Sequence, residues 1–373
     1  MIIFVSIILA AAFLAYANGA NDNFKGVATL FGSGATDYKK ALAWATITTF
    51  LGSLSAIFIS AKLVTAFSGR GLVPEQIAQN PHFLLSVGLG AALTVFIATL
   101  SGIPISTTHS LMGALIGAGI IAAGARINFS VLANKFFAPL LISPVFSALL
   151  TFILYPCFKF CRVRLGIERQ MCLCAGGDKP QAVRISADGS AVLQATGISL
   201  TIGQLKNCQA YYQGKILGFD SQAILDKLHY LSSAAVSFSR GLNDTPKIVA
   251  PLLAISAFSL KGEISLVAAA IAIGGILNAR KVALTMSRRI TRMNHGQGFS
   301  ANIVTALLVV FASGLGLPVS TTHVSCGSLF GIGLMNKEAN ISVIRQIILA
   351  WVITAPLAGI LSGLCFLGLR YLG

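Results

Sequence analysis

The stretch Gly19-Ala20-Asn21-Asp22-Asn23-Phe24-Lys25-Gly26-Val27-Ala28 returns in the second half of the chain as Gly241-Leu242-Asn243-Asp244-Thr245-Pro246-Lys247-Ile248-Val249-Ala250. Both copies fit G-x-N-D-x-x-K-x-V-A. A second pair follows in the same order: Gly102-Ile103-Pro104-Ile105-Ser106-Thr107-Thr108-His109 and Gly316-Leu317-Pro318-Val319-Ser320-Thr321-Thr322-His323, both G-x-P-x-S-T-T-H. Two motifs recurring in one order mark an internal duplication. Apolar runs appear at about 2–17, 41–67, 84–101, 106–124 and 131–157, and a second set at about 230–258, 263–285, 300–314, 319–335 and 345–369.

Composition agrees. The chain has 373 residues, 55% hydrophobic and 10% charged, with mean hydropathy +0.82. A soluble domain carries about 25% charged residues, so a soluble globular enzyme is excluded. Disorder is excluded by the apolar fraction. The fold class expected is an all-α polytopic membrane protein. Its 37 glycines suit helices that approach closely and break where needed. A net charge of +16 raises nucleic acid as a partner, but Lys and Arg fall mostly in the joints between apolar runs, where cytoplasmic loops place them. No nucleic-acid role is expected. The N-terminus lacks a basic n-region, so a cleaved signal peptide is not expected either.

Residues 158–228 differ in kind. They are polar, and AVRISADGSAVLQATGISLTIGQL alternates in places, which predicts short strands with a turn at Asp188-Gly189. The chain thus divides into a first membrane repeat (1–157), a small insert of β character (158–228) and a second membrane repeat (229–373). Cys157, Cys161, Cys172, Cys174 and Cys208 gather near the insert without regular metal spacing, so no metal site is expected.

Parity gives a topology. Each half is read as a broken crossing at the N-D motif, one helix, a hairpin tipped by S-T-T-H, and a last helix. The crossing count is odd, so the second repeat is inverted relative to the first, with re-entrant helical hairpins. With the N-terminus outside, the inner loops hold Lys39, Lys40, Arg280, Lys281, Arg288, Arg289, Arg292, Lys337, Arg345 and the insert. The outer side holds Lys62, Arg70, Arg126, Lys135, Lys261 and Arg370. This is the expected basic bias. It makes the insert cytoplasmic and agrees with free thiols. An inner or plasma membrane of bacterial type is the expected location.

Of 11 acids, Asp22 and Asp244 are read as lying within membrane segments, at equivalent repeat positions. A carboxylate in hydrocarbon costs at least about 2.5 kcal/mol and by default marks an ion pathway. A purely structural ion pair with Lys25 or Lys247, three residues on, is the plainer alternative. Asn21 and Asn243 add amide oxygens, a set suited to a hard cation such as Na⁺ or to a proton relay. At the other motif, Gly and Pro break the helix and Ser-Thr-Thr opens the next one. The hydroxyls either cap only or, with free N–H groups and the helix dipole, bind an anion. Half-helices meeting between inverted repeats are a known transporter architecture. His109 and His323 follow directly, as packed residues or as a proton relay.

On these motifs the chain resembles the inorganic phosphate transporter (PiT) family of secondary transporters. The resemblance covers both membrane halves and leaves out the insert. It implies phosphate transport by alternating access, coupled to Na⁺ or H⁺, with sulfate or another tetrahedral oxyanion as the alternative substrate. It implies that Asn21, Asp22, Asn243 and Asp244 bind the coupling cation. Ser106, Thr107, Thr108, Ser320, Thr321 and Thr322 would hold the anion, with Asp22 and Asp244 meeting its protonated oxygens. No cofactor beyond the coupling cation is implied, and a homodimer is. Family members commonly follow GAND with small residues and another Asn. Lys25 departs from that pattern, and a fixed ammonium there would stand in for a bound Na⁺. No HExxH, GxSxG or Walker run points to an enzyme.

Overall fold

The chain alternates long apolar helices with short connections in the computed structural model, which describes residues 2–59, 61–171, 184–185, 191–192, 210–213, 215–216, 218–253 and 259–372. The first half runs α1 (Ile2–Asp22), a 3₁₀ segment (Asn23–Val27), α2 (Ala28–Gly32), α3 (Tyr38–Ile59), α4 (Ala61–Phe67), α5 (Glu75–Ala78), α6 (Pro81–Leu100), α7 (Thr107–Ala123), α8 (Phe129–Val131) and α9 (Ala138–Arg164). The second half runs α10 (Ser221–Leu253), α11 (Leu260–Asn278), α12 (Arg280–Leu284), α13 (His295–Leu315), α14 (Thr321–Asn336) and α15 (Ile341–Leu372). The long helices therefore recur in one order: motif helix, second helix, a helix pair joined at S-T-T-H, and a last helix. Among the described residues, eight helical segments are long and apolar enough to cross a membrane. The protein is an integral membrane protein.

Local chemistry sets the boundaries. Asn80 caps α6 by accepting the N–H groups of His82 and Phe83 at 2.8 and 3.3 Å, with Pro81 in the first turn. Asn294 and Gln297 cap α13 reciprocally. The first N-D segment breaks, as expected: α1 stops at Asp22 and a 3₁₀ turn carries Lys25. The second does not break at its motif. Here α10 runs unbroken through Asn243 and Asp244 to Leu253, with Pro246 and Pro251 inside it. Asn23 and Gly26 are weak helix formers that the second copy lacks, whereas Pro246 removes one hydrogen bond without ending the helix. Asp22 and Asp244 are not alone as buried acids. Glu263 is also buried, in the first turn of α11, where the helix dipole favours it.

Two crossings place the motif helices. A Cβ on Gly19 would strike the Ile271 carbonyl of α11, and one on Gly241 the Thr49 carbonyl of α3. Each motif helix thus lies, glycine to backbone, on the second helix of the other half. Close backbone approach through small residues is how helices associate in lipid. Gly19→Ala is expected to cost about 1–3 kcal/mol, because the obstructing atoms are backbone. A melting temperature in detergent equal to that of the unmodified protein would contradict the crossing.

The contacts divide the chain into two compact units, Met1–Phe160 with Leu225–Gly373, and Cys161–Ile224. In the second, β1 (Glu168–Met171) pairs antiparallel with β4 (Ala210–Gln213), β2 (Arg184–Ile185) with β3 (Ala191–Val192), and β5 (Lys215–Ile216) with β6 (Phe219–Asp220). The Asp188-Gly189 turn and Cys172, Cys174 and Cys208 lie outside the described residues. Cys157, Cys161, Cys326 and Cys365 are free thiols.

Candidate functional site

The two S-T-T-H tips are built alike. Gly102 (φ 70°) and Gly316 (φ 74°) take the left-handed turn that ends α6 and α13. Pro104 and Pro318 then keep the chain extended. Ser106 (φ −98°, ψ 114°) and Ser320 (φ −96°, ψ 116°) cap α7 and α14, accepting the N–H groups of His109 and His323 at 3.1 and 3.2 Å. The duplication thus persists to within a few degrees of backbone torsion. Ser320→Ala is expected to lower stability by about 1 kcal/mol, the usual worth of such a cap. Thermal unfolding checks this.

The tips touch. Thr108 Oγ1 donates to Val319 O at 3.3 Å, and Thr322 Oγ1 donates to Ile105 O at 2.8 Å. Ile105 and Val319 are repeat equivalents, as are Thr108 and Thr322. Each threonine therefore reaches across to the other copy's tip, as a twofold relation requires.

The lysines follow the same exchange. Lys25 Nζ donates to Thr322 Oγ1 at 2.6 Å, Ile105 O at 2.9 Å, Asn21 Oδ1 at 3.0 Å and Asp22 Oδ1 at 2.5 Å. Lys247 Nζ donates to Thr108 Oγ1 at 2.9 Å, Val319 O at 2.8 Å and Asp244 Oδ1 at 3.4 Å. Both lysines and both aspartates are buried. The hydrogen-bond acceptors around each ammonium are all oxygen, the donor set of a hard cation, and Lys247 Nζ also lies 5.7 Å from the centre of the Phe67 ring. Burying these charges is tolerable because each is paired and further hydrogen-bonded. The two pairs are unequal: Lys25–Asp22 is tight at 2.5 Å and Lys247–Asp244 loose at 3.4 Å.

The asparagines hold each motif to its own hairpin. Asn21 Nδ2 donates to Thr99 Oγ1 at 3.0 Å, and Asn243 Oδ1 accepts from Ser313 Oγ at 3.2 Å. Thr107 Oγ1 accepts from Asn18 Nδ2 at 2.9 Å, and Thr321 is buried at the start of α14. His109 and His323 are buried with ring centroids 4.5 Å apart. His323 Nδ1 lies 3.1 Å from Leu140 O, and its ring packs on Trp351 at 3.9 Å. The structure thus gathers all the residues singled out in the two motifs at one buried centre. Among the described residues, no group of three or more His, Cys, Asp or Glu is placed to hold a metal ion.

Sequence reading missed three members. Asn18 Nδ2 also lies within reach of Asp22 Oδ2 (3.4 Å) and Asp244 Oδ2 (3.3 Å), so one amide bridges both carboxylates. Arg240 is buried and donates to Asn18 Oδ1 at 3.3 Å and Asn23 Oδ1 at 3.4 Å. Asn23 also reaches Thr46 Oγ1 at 2.8 Å. The signal was available: extending the repeat by one residue upstream pairs Asn18 with Arg240, both polar in apolar runs. The tally of loop cations passed over Arg240 because it lies in no loop.

A family model described as the phosphate transporter family matches residues 18–362. A protein of Pyrococcus horikoshii that carries the name phosphate permease is 29% identical over 397 residues, covering 96% of both chains. An Arabidopsis thaliana protein named inorganic phosphate transporter 2-1, chloroplastic, is 26% identical over 411 residues, covering 94% of this chain and 69% of that one. A solved structure described as the sodium-dependent phosphate transporter superposes with a TM-score of 0.77 over 100% of both chains, at 23% identity. That last likeness is one of fold.

Proposed function

The chain belongs to the phosphate transporter family, and from that premise we propose that it carries inorganic phosphate across the membrane by alternating access. The family is one of transporters and permeases, not of enzymes. The observation that carries the reading is the exchange at the centre. Lys25 of one copy binds Thr322 of the other, and Lys247 binds Thr108 in return. Two capped helix starts, from α7 and α14, converge where such an exchange is centred. They supply N–H dipoles and hydroxyls to an oxyanion. Asp22 and Asp244 can accept a proton that phosphate donates and sulfate lacks, which favours phosphate over the sulfate alternative.

In this reading the inverted repeats rock about the exchanged contacts, with the N-terminus outside and the 158–228 insert in the cytoplasm. Lys25 and Lys247 hold the places that bound Na⁺ would otherwise take, and H⁺ is the coupling ion. His109 and His323, with rings 4.5 Å apart and with Nδ1 and Nε2 respectively uncommitted among the described residues, are the candidates to relay it. The test is labelled phosphate uptake by proteoliposomes in competition with excess sulfate. Uptake that sulfate leaves intact supports the reading; uptake that sulfate abolishes overturns the substrate assignment. Orientation has its own check. A cysteine placed at Lys62 is expected to react with an impermeant maleimide from outside, and one at Lys40 only after permeabilisation. The reverse pattern contradicts the orientation.

A further inference from the structure

We infer that Arg240 is an anion-recognising residue of the transport site, supplying the guanidinium that meets the phosphate. This rests on the phosphate-transport reading above. Arg240 is 1% exposed. Among the described residues no carboxylate lies within ion-pair distance of it: Asp22 and Asp244 pair with the lysines and attract the guanidinium from further off. Its two bonds, to Asn18 and Asn23, are long and go to neutral carbonyls. Its Nε–H is buried with no acceptor among the described residues. A guanidinium offers five N–H donors in a planar fork, so most of this one's capacity is uncommitted. A buried cation held this way feels Asp22 and Asp244 only from a distance, with no counter-charge in direct contact.

Position says what completes it. Asn18, which accepts from Arg240, donates to Thr107 in the first turn of α7 and bridges the two carboxylates. The guanidinium therefore stands one side chain away from a capped helix start. It is also the repeat counterpart of Asn18, as Thr321 is of Thr107. Charge agrees. The cluster joined by these hydrogen bonds holds Lys25, Lys247 and Arg240 against Asp22 and Asp244, three positive and two negative groups, a surplus of one. A singly charged tetrahedral oxyanion, H₂PO₄⁻, closes that balance. Its oxygens suit bidentate binding by the fork, and its hydroxyls can donate to the carboxylates.

The test is phosphate uptake by proteoliposomes carrying Arg240→Gln or Arg240→Lys. Arg240→Gln is expected to raise the phosphate KM about 30-fold or more, with Vmax changed far less. Arg240→Lys keeps the charge and loses the fork, and is expected to leave KM well above that of the unmodified protein. A KM in Arg240→Lys equal to that of the unmodified protein would reduce Arg240 to a bulk charge and overturn the inference. So would a normal KM in Arg240→Gln. Should neither variant fold, arginine-specific dicarbonyl labelling of the unmodified protein decides. Protection of Arg240 by inorganic phosphate, and not by chloride at equal ionic strength, supports the inference. Equal labelling with and without phosphate, including none, overturns it. Failure of the unmodified protein to take up phosphate at all would count instead against the transport reading beneath it.

Discussion

Asp22→Asn is expected to cut phosphate uptake about a hundredfold, and Asp244→Asn by clearly less. Removing one partner of a buried pair leaves the other charge uncompensated, at a cost of about 3–5 kcal/mol. Asp22 holds Lys25 at 2.5 Å, and the neutral amide that replaces it cannot balance that charge. Lys247 sits 3.4 Å from Asp244 and leans on Val319 O and Thr108 Oγ1 at 2.8 and 2.9 Å, so it loses less. The order of the two variants is therefore part of the prediction. A double variant, Asp22→Asn with Lys25→Met, removes both charges. It is expected to recover much of the melting temperature and none of the uptake, which separates the pair's structural part from its part in transport. Equal uptake by Asp22→Asn and the unmodified protein would refute the site.

Lys25→Asn is expected to make transport depend on Na⁺. Without the ammonium, Asp22 Oδ1, Thr322 Oγ1 and Ile105 O are left as oxygen donors around one point. The introduced amide adds an oxygen ligand. Such a set takes a hard monovalent cation, and the carboxylate then regains its counter-charge only when that cation is bound. In choline the phosphate KM of this variant is expected to rise about tenfold or more, and Na⁺ is expected to restore it. A variant indifferent to Na⁺ would show that Lys25 is not a substitute cation.

Much of this was legible because both motifs are local chemistry. Gly-x-Pro-x-Ser-Thr-Thr dictates a helix stop, an extended step and a capped helix start within a few residues, and both copies obey it. The duplication then told which halves must face each other. Four features lay beyond that reading. The unbroken course of α10 turns on Pro246, whose missing N–H costs one bond in a helix that packing against α3 sustains through Gly241. Glu263 sits at an apolar segment's edge, where sequence does not separate a loop acid from a buried first-turn acid. Arg240 is marked by its place opposite Asn18 in the repeat, but its partners are far off in the chain. Its hydrogen bonds go to Asn18 and Asn23, and no spacing rule links residues so distant. The tight cage around Lys25 is likewise tertiary: the i, i+3 pairing with Asp22 is local, but Thr322 comes from the other copy.

The central claim is that lysine ammonium groups fill the cation places between two exchanged hairpin tips. It is tested most directly by phosphate uptake into proteoliposomes with external Na⁺ replaced by choline, at two pH values. The account predicts equal uptake in Na⁺ and choline, faster with an inward proton gradient. Uptake that falls to background in choline at both pH values, and returns only with Na⁺, would contradict it.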